Sequence, residues 1–119
     1  MKTKVLAGAT AALVLLLGAC SSSPEQGSRP SSSGAVTIKS FTFKPAPLTV
    51  KVGQKVTWTN QDQILHTSTS GEPGSTTGVF DGAMDGVGLT FSFTFATAGR
   101  FPYFCSRHNG MRGEIVVEP

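Results

Sequence analysis

Three side chains with metal-binding atoms follow one another closely near the C-terminus. Cys105, His108 and Met111 stand at the spacing C-x2-H-x2-M. Alternating residues typical of a strand precede Cys105, and a second such pattern follows Gly113, so the chain has to reverse between the two strands. Gly110 and Gly113 permit the close backbone path that this reversal needs. The segment therefore predicts two neighbouring strands joined by a tight loop that holds all three side chains.

The rest of residues 35–119 has the same strand-and-turn pattern. Hydrophobic and polar residues alternate in several stretches, at Val36–Ile38, Leu48–Val52, Val56–Trp58, Phe91–Phe95 and Ile115–Val117. No stretch of this segment has a helical period. Many short strands with frequent turns predict an all-β sandwich or barrel, built around one small core.

The connections between these strands can also be predicted. The alternation changes phase at Ser40, which indicates a bulge or a bend there. Pro45 and Pro47 suit an edge strand or a crossover. Gly53-Gln54 is typical of a two-residue hairpin and predicts that the strands on either side of it pair. Residues 70–88 contain six glycines, and we interpret them as a long loop with one short strand in its middle.

The first 34 residues differ from the rest in composition. Two lysines followed by the apolar run Val5–Ala19 are typical of a secretory signal peptide over residues 1–19. This run is too short to span the hydrocarbon core of a membrane. It ends Leu17-Gly-Ala-Cys20, which resembles the bacterial lipobox, and the resemblance implies that Cys20 carries a lipid after cleavage. An ordinary signal peptide with an incidental cysteine is the alternative.

Residues 20–34 contain almost no apolar side chain and are rich in serine, proline and glycine. Such a composition predicts a flexible tether, and we place the globular domain at residues 35–119. Without the two lysines of the signal peptide, eight basic side chains stand against seven acidic ones. This balance, with no basic stripe or RNA-binding motif, argues against a nucleic-acid partner.

The cysteine content points to a bound metal. An exported protein usually pairs its cysteines, but a lipid on Cys20 leaves Cys105 alone. A lone thiol in an oxidising compartment is a liability unless it is buried or bonded to another atom. Metal ligation explains why Cys105 has no disulfide partner.

A second histidine completes a set of possible ligands. His66 lies far upstream, in a predicted strand from Ile64 to Thr69. Two imidazole nitrogens, one thiolate and one weak thioether are the ligands of blue-copper electron-transfer sites. Plainer explanations exist, because a histidine on a strand is often only a polar residue and methionine often fills a core. Met84 is a second candidate for the thioether, and its place in the glycine-rich segment makes it the poorer one.

The combined pattern resembles the cupredoxins, the superfamily of plastocyanin, amicyanin and pseudoazurin. The resemblance covers nearly all of residues 35–119 and is carried by six motifs: Phe41-x-Phe-x-Pro45, Leu48-x-Val-x-x-Gly53, Val56-x-Trp-x-Asn60-x-Asp62, His66-Thr67, Phe91-x-Phe-x-Phe95 and Tyr103-x-Cys105-x-x-His108-x-x-Met111-x-Gly113-x-Ile115. It implies a Greek-key β-sandwich with one type 1 copper ion at one end. The short loop from the cysteine to the methionine is most similar to that of amicyanin.

The resemblance also implies a role for each ligand. His66 is expected to be the buried imidazole, Cys105 the thiolate, His108 the imidazole near the surface and Met111 the weak axial ligand. Thr67 stands where plastocyanin and amicyanin commonly have asparagine, and its hydroxyl can still bond to the ligand loop. Electrons are expected to pass through the edge of His108, within an apolar patch on which redox partners dock briefly.

These features predict a protein that carries single electrons between redox partners at the outer face of a membrane. An enzyme is not expected, since four protein ligands leave no open position on the metal. The alternative is a periplasmic copper-binding or copper-delivery lipoprotein, and a metal-free structural domain is a third interpretation. We expect an exported monomer, anchored to a bacterial membrane through lipidated Cys20, with its domain in the periplasm or on the extracellular face.

Overall fold

The computed structural model describes residues 33–119, which form nine β-strands. In chain order the strands are β1 (Gly34–Lys39), β2 (Thr42–Lys44), β3 (Leu48–Lys51), β4 (Lys55–Asn60), β5 (Leu65–Glu72), β6 (Ser75–Asp85), β7 (Thr90–Thr94), β8 (Gly99–Cys105) and β9 (His108–Glu118). They form a four-stranded sheet in the order β2-β1-β4-β7 and a five-stranded sheet in the order β3-β9-β8-β5-β6. The predicted all-β sandwich is therefore confirmed.

The predicted signal peptide, Cys20 and most of the predicted tether lie outside the described residues. Within residues 33–119 there is no helix of the length and apolar character that crossing a membrane requires.

The core lies between the two sheets and is rich in aromatic rings. Trp58 of β4 is fully buried, and its ring centroid lies 5.3 Å from that of Phe80 and 5.5 Å from those of Phe91 and Tyr103. Burial raises the pKa of Tyr103 to about 12, so its phenol stays neutral. Burying a large apolar side chain contributes roughly 1.5–3 kcal/mol, and this packing holds the two sheets in a defined relative position.

The change of phase at Ser40 is a chain reversal. Lys39 of β1 pairs with Thr42 of β2, and the two residues between them, Ser40 and Phe41, have φ angles of 51° and 59°. Two successive positive φ angles are typical of a two-residue hairpin turn. The prediction of a bend is confirmed, and the turn leaves Phe41 exposed at the end of the sandwich.

The predicted hairpin at Gly53-Gln54 is wrong. Strand β3 pairs in parallel with β9 in one sheet, whereas β4 pairs with β1 and β7 in the other. Gly53 does form a tight turn, with a φ angle of 86°. This turn carries the chain from one sheet to the other, so the inward side chains of β3 and β4 reach the core from opposite sides. The segment with Pro45 and Pro47 also joins strands of different sheets, which confirms the predicted crossover.

The predicted long loop at residues 70–88 is also wrong. Strand β5 runs on to Glu72, and β6 covers eleven residues paired antiparallel with β5, with a bulge between Thr69 and Gly71. Glycine disfavours a strand in isolation, but one of these glycines meets a packing requirement. A Cβ atom on Gly82 would overlap the ring of Phe91 in the opposite sheet. The glycine thus permits close contact between the sheets.

Candidate metal centre

Three predicted ligands meet at one end of the sandwich. His66 lies on β5, Cys105 ends β8, and His108 begins β9. Cys105 and His108 are partners across a reversal of only two residues. The Sγ atom of Cys105 lies 3.8 Å from Nδ1 of His66 and 3.5 Å from Nδ1 of His108. The predicted tight reversal is thus present, and it brings Cys105 and His108 to the upstream histidine. It is shorter than predicted, since His108 begins β9 and Met111 lies within that strand.

The spacing of these three atoms suits a single metal ion. All three ligand atoms lie within 4.8 Å of one another. Nitrogen and sulfur ligands bind a first-row metal such as zinc at roughly 2.0–2.3 Å, so two ligands of one ion are roughly 3–4 Å apart. Two imidazoles and a thiolate are also the equatorial ligands of a copper electron-transfer site. The distances between the ligand atoms and their chemistry therefore both suit a single copper ion.

The site is buried on one side and accessible on the other. His66 and Cys105 are fully buried, whereas His108 is half-buried. The exposed ring of Phe41 packs edge-on against both imidazoles, with centroid distances of 5.5 Å to His66 and 5.0 Å to His108. Phe41 thus covers both imidazoles on one side, and His108 is the route from the site to the surface.

Thr67 connects the strand of the buried histidine to the ligand loop. Its backbone N–H donates to the Cys105 sulfur at 3.4 Å. Its hydroxyl oxygen accepts the backbone N–H of Ser106 at 2.8 Å and donates to the hydroxyl of the same residue at 3.1 Å. The Thr67 N–H group therefore points at the sulfur atom that is predicted to bind the metal. The bond expected between the Thr67 hydroxyl and the loop is present.

Comparison with known proteins identifies the family. A family of copper-binding proteins, described as the plastocyanin/azurin family, matches residues 31–118. The chain belongs to this family. As a cupredoxin with two histidines and one cysteine gathered at one point, it has copper as its cofactor, as predicted.

Individual relatives agree with this assignment. The chain is 32% identical over 114 residues to amicyanin-alpha of Methylorubrum extorquens, covering 95% of this chain and 92% of the relative. It is 34% identical over 84 residues to the chloroplastic plastocyanin of Tetradesmus obliquus, covering 64% of this chain and 58% of the relative. The match to the amicyanin of Paracoccus denitrificans is 35% identical over 85 residues, covering 70% of this chain and 63% of the relative.

Solved structures show the same likeness. A copper(I) form of an amicyanin variant superposes with a TM-score of 0.63 at 33% identity, covering 72% of this chain and 82% of that chain. A purple cupredoxin from Nitrosopumilus maritimus superposes with a TM-score of 0.66 at 26% identity, covering 72% of this chain and all of the other. The Greek-key sandwich expected of a cupredoxin is thereby confirmed.

A carboxylate that was named above only as part of a family motif also belongs to this cupredoxin site. Asp62 Oδ2 lies 2.9 Å from Nε2 of the buried His66. The same carboxylate accepts the backbone N–H groups of Ser40 at 2.8 Å and Phe41 at 3.1 Å. These two backbone donors, Phe41 first, hold the pKa of Asp62 below its ordinary value, and His66 contributes further. The carboxylate is therefore charged at neutral pH.

The two buried methionines are less clearly distinguished than the sequence analysis expected. Met111 is buried in β9 and belongs to the same cluster of core residues as Cys105. Met84 is fully buried in β6 and stands directly opposite His66 in the strand pairing. Since Met84 lies in a strand, the expected glycine-rich loop no longer counts against it. Met111 as the axial ligand therefore remains a prediction.

Proposed function

We propose that the protein carries single electrons, with copper held by His66, Cys105, His108 and Met111. The observation that supports this most strongly is the approach of both Nδ1 atoms to one thiol sulfur, at 3.8 Å and 3.5 Å. Copper bound there supplies the one-electron Cu(II)/Cu(I) couple. The three closest ligands come from strands of one sheet, so their positions change little between the two oxidation states.

The chain's own residues account for the passage of electrons. His108 reaches the surface at the end of the sandwich where two exposed apolar side chains, Phe41 and Ile64, also lie. Exposed apolar side chains beside a redox ligand favour brief contact with a partner, and the charged Arg107 and Asp85 lie beside the same ligand. We infer that redox partners dock there and exchange electrons through the edge of the His108 ring.

We further propose that the domain works at the outer face of a bacterial membrane, anchored by a lipid on Cys20. Strand β1 begins at Gly34 and runs toward the metal end, where its turn carries Phe41. A tether that enters at Gly34 joins the domain at the opposite end, roughly 20 Å away at ~3.3 Å per residue. This arrangement leaves the face around His108 free for redox partners.

The central test is copper loading of the chain that begins after Cys20. We expect added Cu(II) to produce an intense visible absorption band and a reversible one-electron wave, both absent from Cys105→Ser. A wild-type protein that stays colourless with Cu(II) contradicts electron transfer. If it instead binds Cu(I) and passes it readily to a metal-free acceptor protein, the copper-delivery function is favoured.

The anchor is tested on the full chain expressed in a bacterium. We expect Cys20→Ser to move the protein from the membrane fraction to the soluble fraction, while Cys105→Ser leaves its distribution unchanged. Equal release or equal retention of the two variants contradicts a lipid at Cys20.

A further inference from the structure

The carboxylate of Asp62 controls which nitrogen of His66 carries a proton. A carboxylate accepts hydrogen bonds but, when ionised, has none to donate. Its contact with Nε2, at 2.9 Å, therefore requires that Nε2 carries the hydrogen. In the neutral ring the other nitrogen, Nδ1, then has the free lone pair, and it is Nδ1 that lies 3.8 Å from the Cys105 sulfur. The tautomer that can bind a metal is the one that Asp62 selects.

Asp62 is itself held in place by a separate part of the fold. Its oxygens accept two successive backbone N–H groups from the turn at Ser40 and Phe41. Both residues of this turn have positive φ angles, a conformation that aims the two donors at one point. The ring of Phe41 then packs against His66 and His108. The carboxylate thus connects the β1–β2 turn to the buried ligand.

We propose that Asp62 is a positioning residue for the copper site, which holds His66 as its Nε2–H tautomer and lowers the reduction potential. This inference rests on the proposed electron-transfer function. The potential falls because a carboxylate behind the imidazole makes Nδ1 a stronger donor, and the added negative charge favours Cu(II) over Cu(I). The Asp62 side chain is only 17% exposed, so water screens this effect poorly.

Three substitutions separate this role from simple charge or packing. Asp62→Asn keeps the size of the side chain but removes its charge, and its amide N–H can donate to Nε2 and allow the wrong tautomer. Asp62→Glu keeps an acceptor-only carboxylate. Asp85→Asn is the matched control, because Asp85 ends β6 beside His108 and Arg107 but makes no hydrogen bond to either histidine within residues 33–119.

The first measurement is the reduction potential of each copper-loaded protein. We expect Asp62→Asn to weaken Cu(II) binding relative to Cu(I) about tenfold, the lower end of the effect of losing such a partner. For one electron this corresponds to a rise of about 59 mV. Asp62→Glu should return most of the way to the wild-type potential, and Asp85→Asn should change it far less than Asp62→Asn.

The second measurement needs no copper. Nitrogen chemical shifts of the metal-free wild type should show His66 as the Nε2–H tautomer, and Asp62→Asn should show a mixture of tautomers. A wild type with hydrogen on Nδ1 overturns the inference even if the protein proves to be a blue electron carrier. An unchanged potential in a blue Asp62→Asn protein overturns it as well.

The proposed function and this inference can fail separately. A colourless wild type contradicts electron transfer, while its tautomer in the metal-free protein still decides what Asp62 does to His66. If Asp62→Asn does not fold, Asp62→Glu carries the test: a potential displaced from that of the wild type by about 59 mV or more shows that a carboxylate at this position has no positioning role.

Discussion

The two predicted imidazole ligands have the same chemistry but very different surroundings. His66 is fully buried on β5, between β6 and β8, and Asp62 holds its second nitrogen. His108 is half-buried at the start of β9, and its hydrogen-bonding contact within residues 33–119 is the Cys105 sulfur. Both rings nevertheless approach that sulfur to a similar distance. One predicted ligand is therefore held in a fixed position and the other is accessible from the surface, which suits the proposed transfer of electrons.

The largest expected effect is the loss of a predicted ligand, and added imidazole should distinguish the buried position of His66 from the accessible position of His108. We expect His66→Gly and His108→Gly both to lose the blue absorption. Imidazole in the buffer should restore it in His108→Gly, since that space opens to solvent, but not in His66→Gly, where the native ring is 0% exposed. The measurement is the visible spectrum during a titration with imidazole. Equal restoration of the absorption in both variants would contradict the difference in accessibility between His66 and His108.

A smaller effect should appear when an alanine is introduced near His66 or near His108 and the free energy of unfolding is measured. Gly82→Ala, in the strand beside His66, forces a methyl group into the ring of Phe91. We expect it to lower the free energy of unfolding by about 1–3 kcal/mol, as for other overpacked cores. Gly110→Ala, in β9 two residues after His108, meets no atom within 4 Å and should cost less than about 0.5 kcal/mol. Denaturant unfolding of the metal-free proteins measures both, and equal losses would contradict the packing argument.

The smallest predicted effect concerns the hydrogen bond between Thr67, beside His66, and the loop that holds Ser106. Thr67→Val removes the hydroxyl that bonds to Ser106, and we expect a loss of about 1 kcal/mol. Thr57→Val removes an exposed hydroxyl bonded to Ser92 and serves as the matched control, with an expected loss of less than about 0.5 kcal/mol. Chemical denaturation again measures the difference. The same loss in both variants would show that the Thr67 bond does not brace the loop.

Much of the fold and of the site could be predicted from residue patterns. Val36, Ile38, Val56 and Trp58 are all buried, as strict alternation requires when one face of a sheet covers a core. Cys105 and His108 meet because only a two-residue reversal separates them. These features depend on neighbouring residues alone, and local geometry decides them.

Features that depend on distant residues were missed. Gly53-Gln54 has the sequence of a hairpin turn, yet the partner of β3 is β9, more than sixty residues away in the chain. The eleven residues of β6 were not predicted as a strand because they lie in the segment 70–88, which contains six glycines. A sequence pattern does not show that β5 supplies the hydrogen bonds of this strand. Asp62 stands four residues before His66, but its contacts to Ser40 and Phe41 come from a separate hairpin.

The sequence by itself determined the all-β class and the inward side chains, and it predicts a set of copper ligands, because residue type and short spacing carry that information. Only the tertiary structure decided which strands pair, that His66 is buried while His108 is accessible, and that a carboxylate stands behind the buried ligand. The physical reason is that burial and hydrogen bonding belong to pairs of residues far apart in the chain, and only packing of the two sheets brings those pairs together.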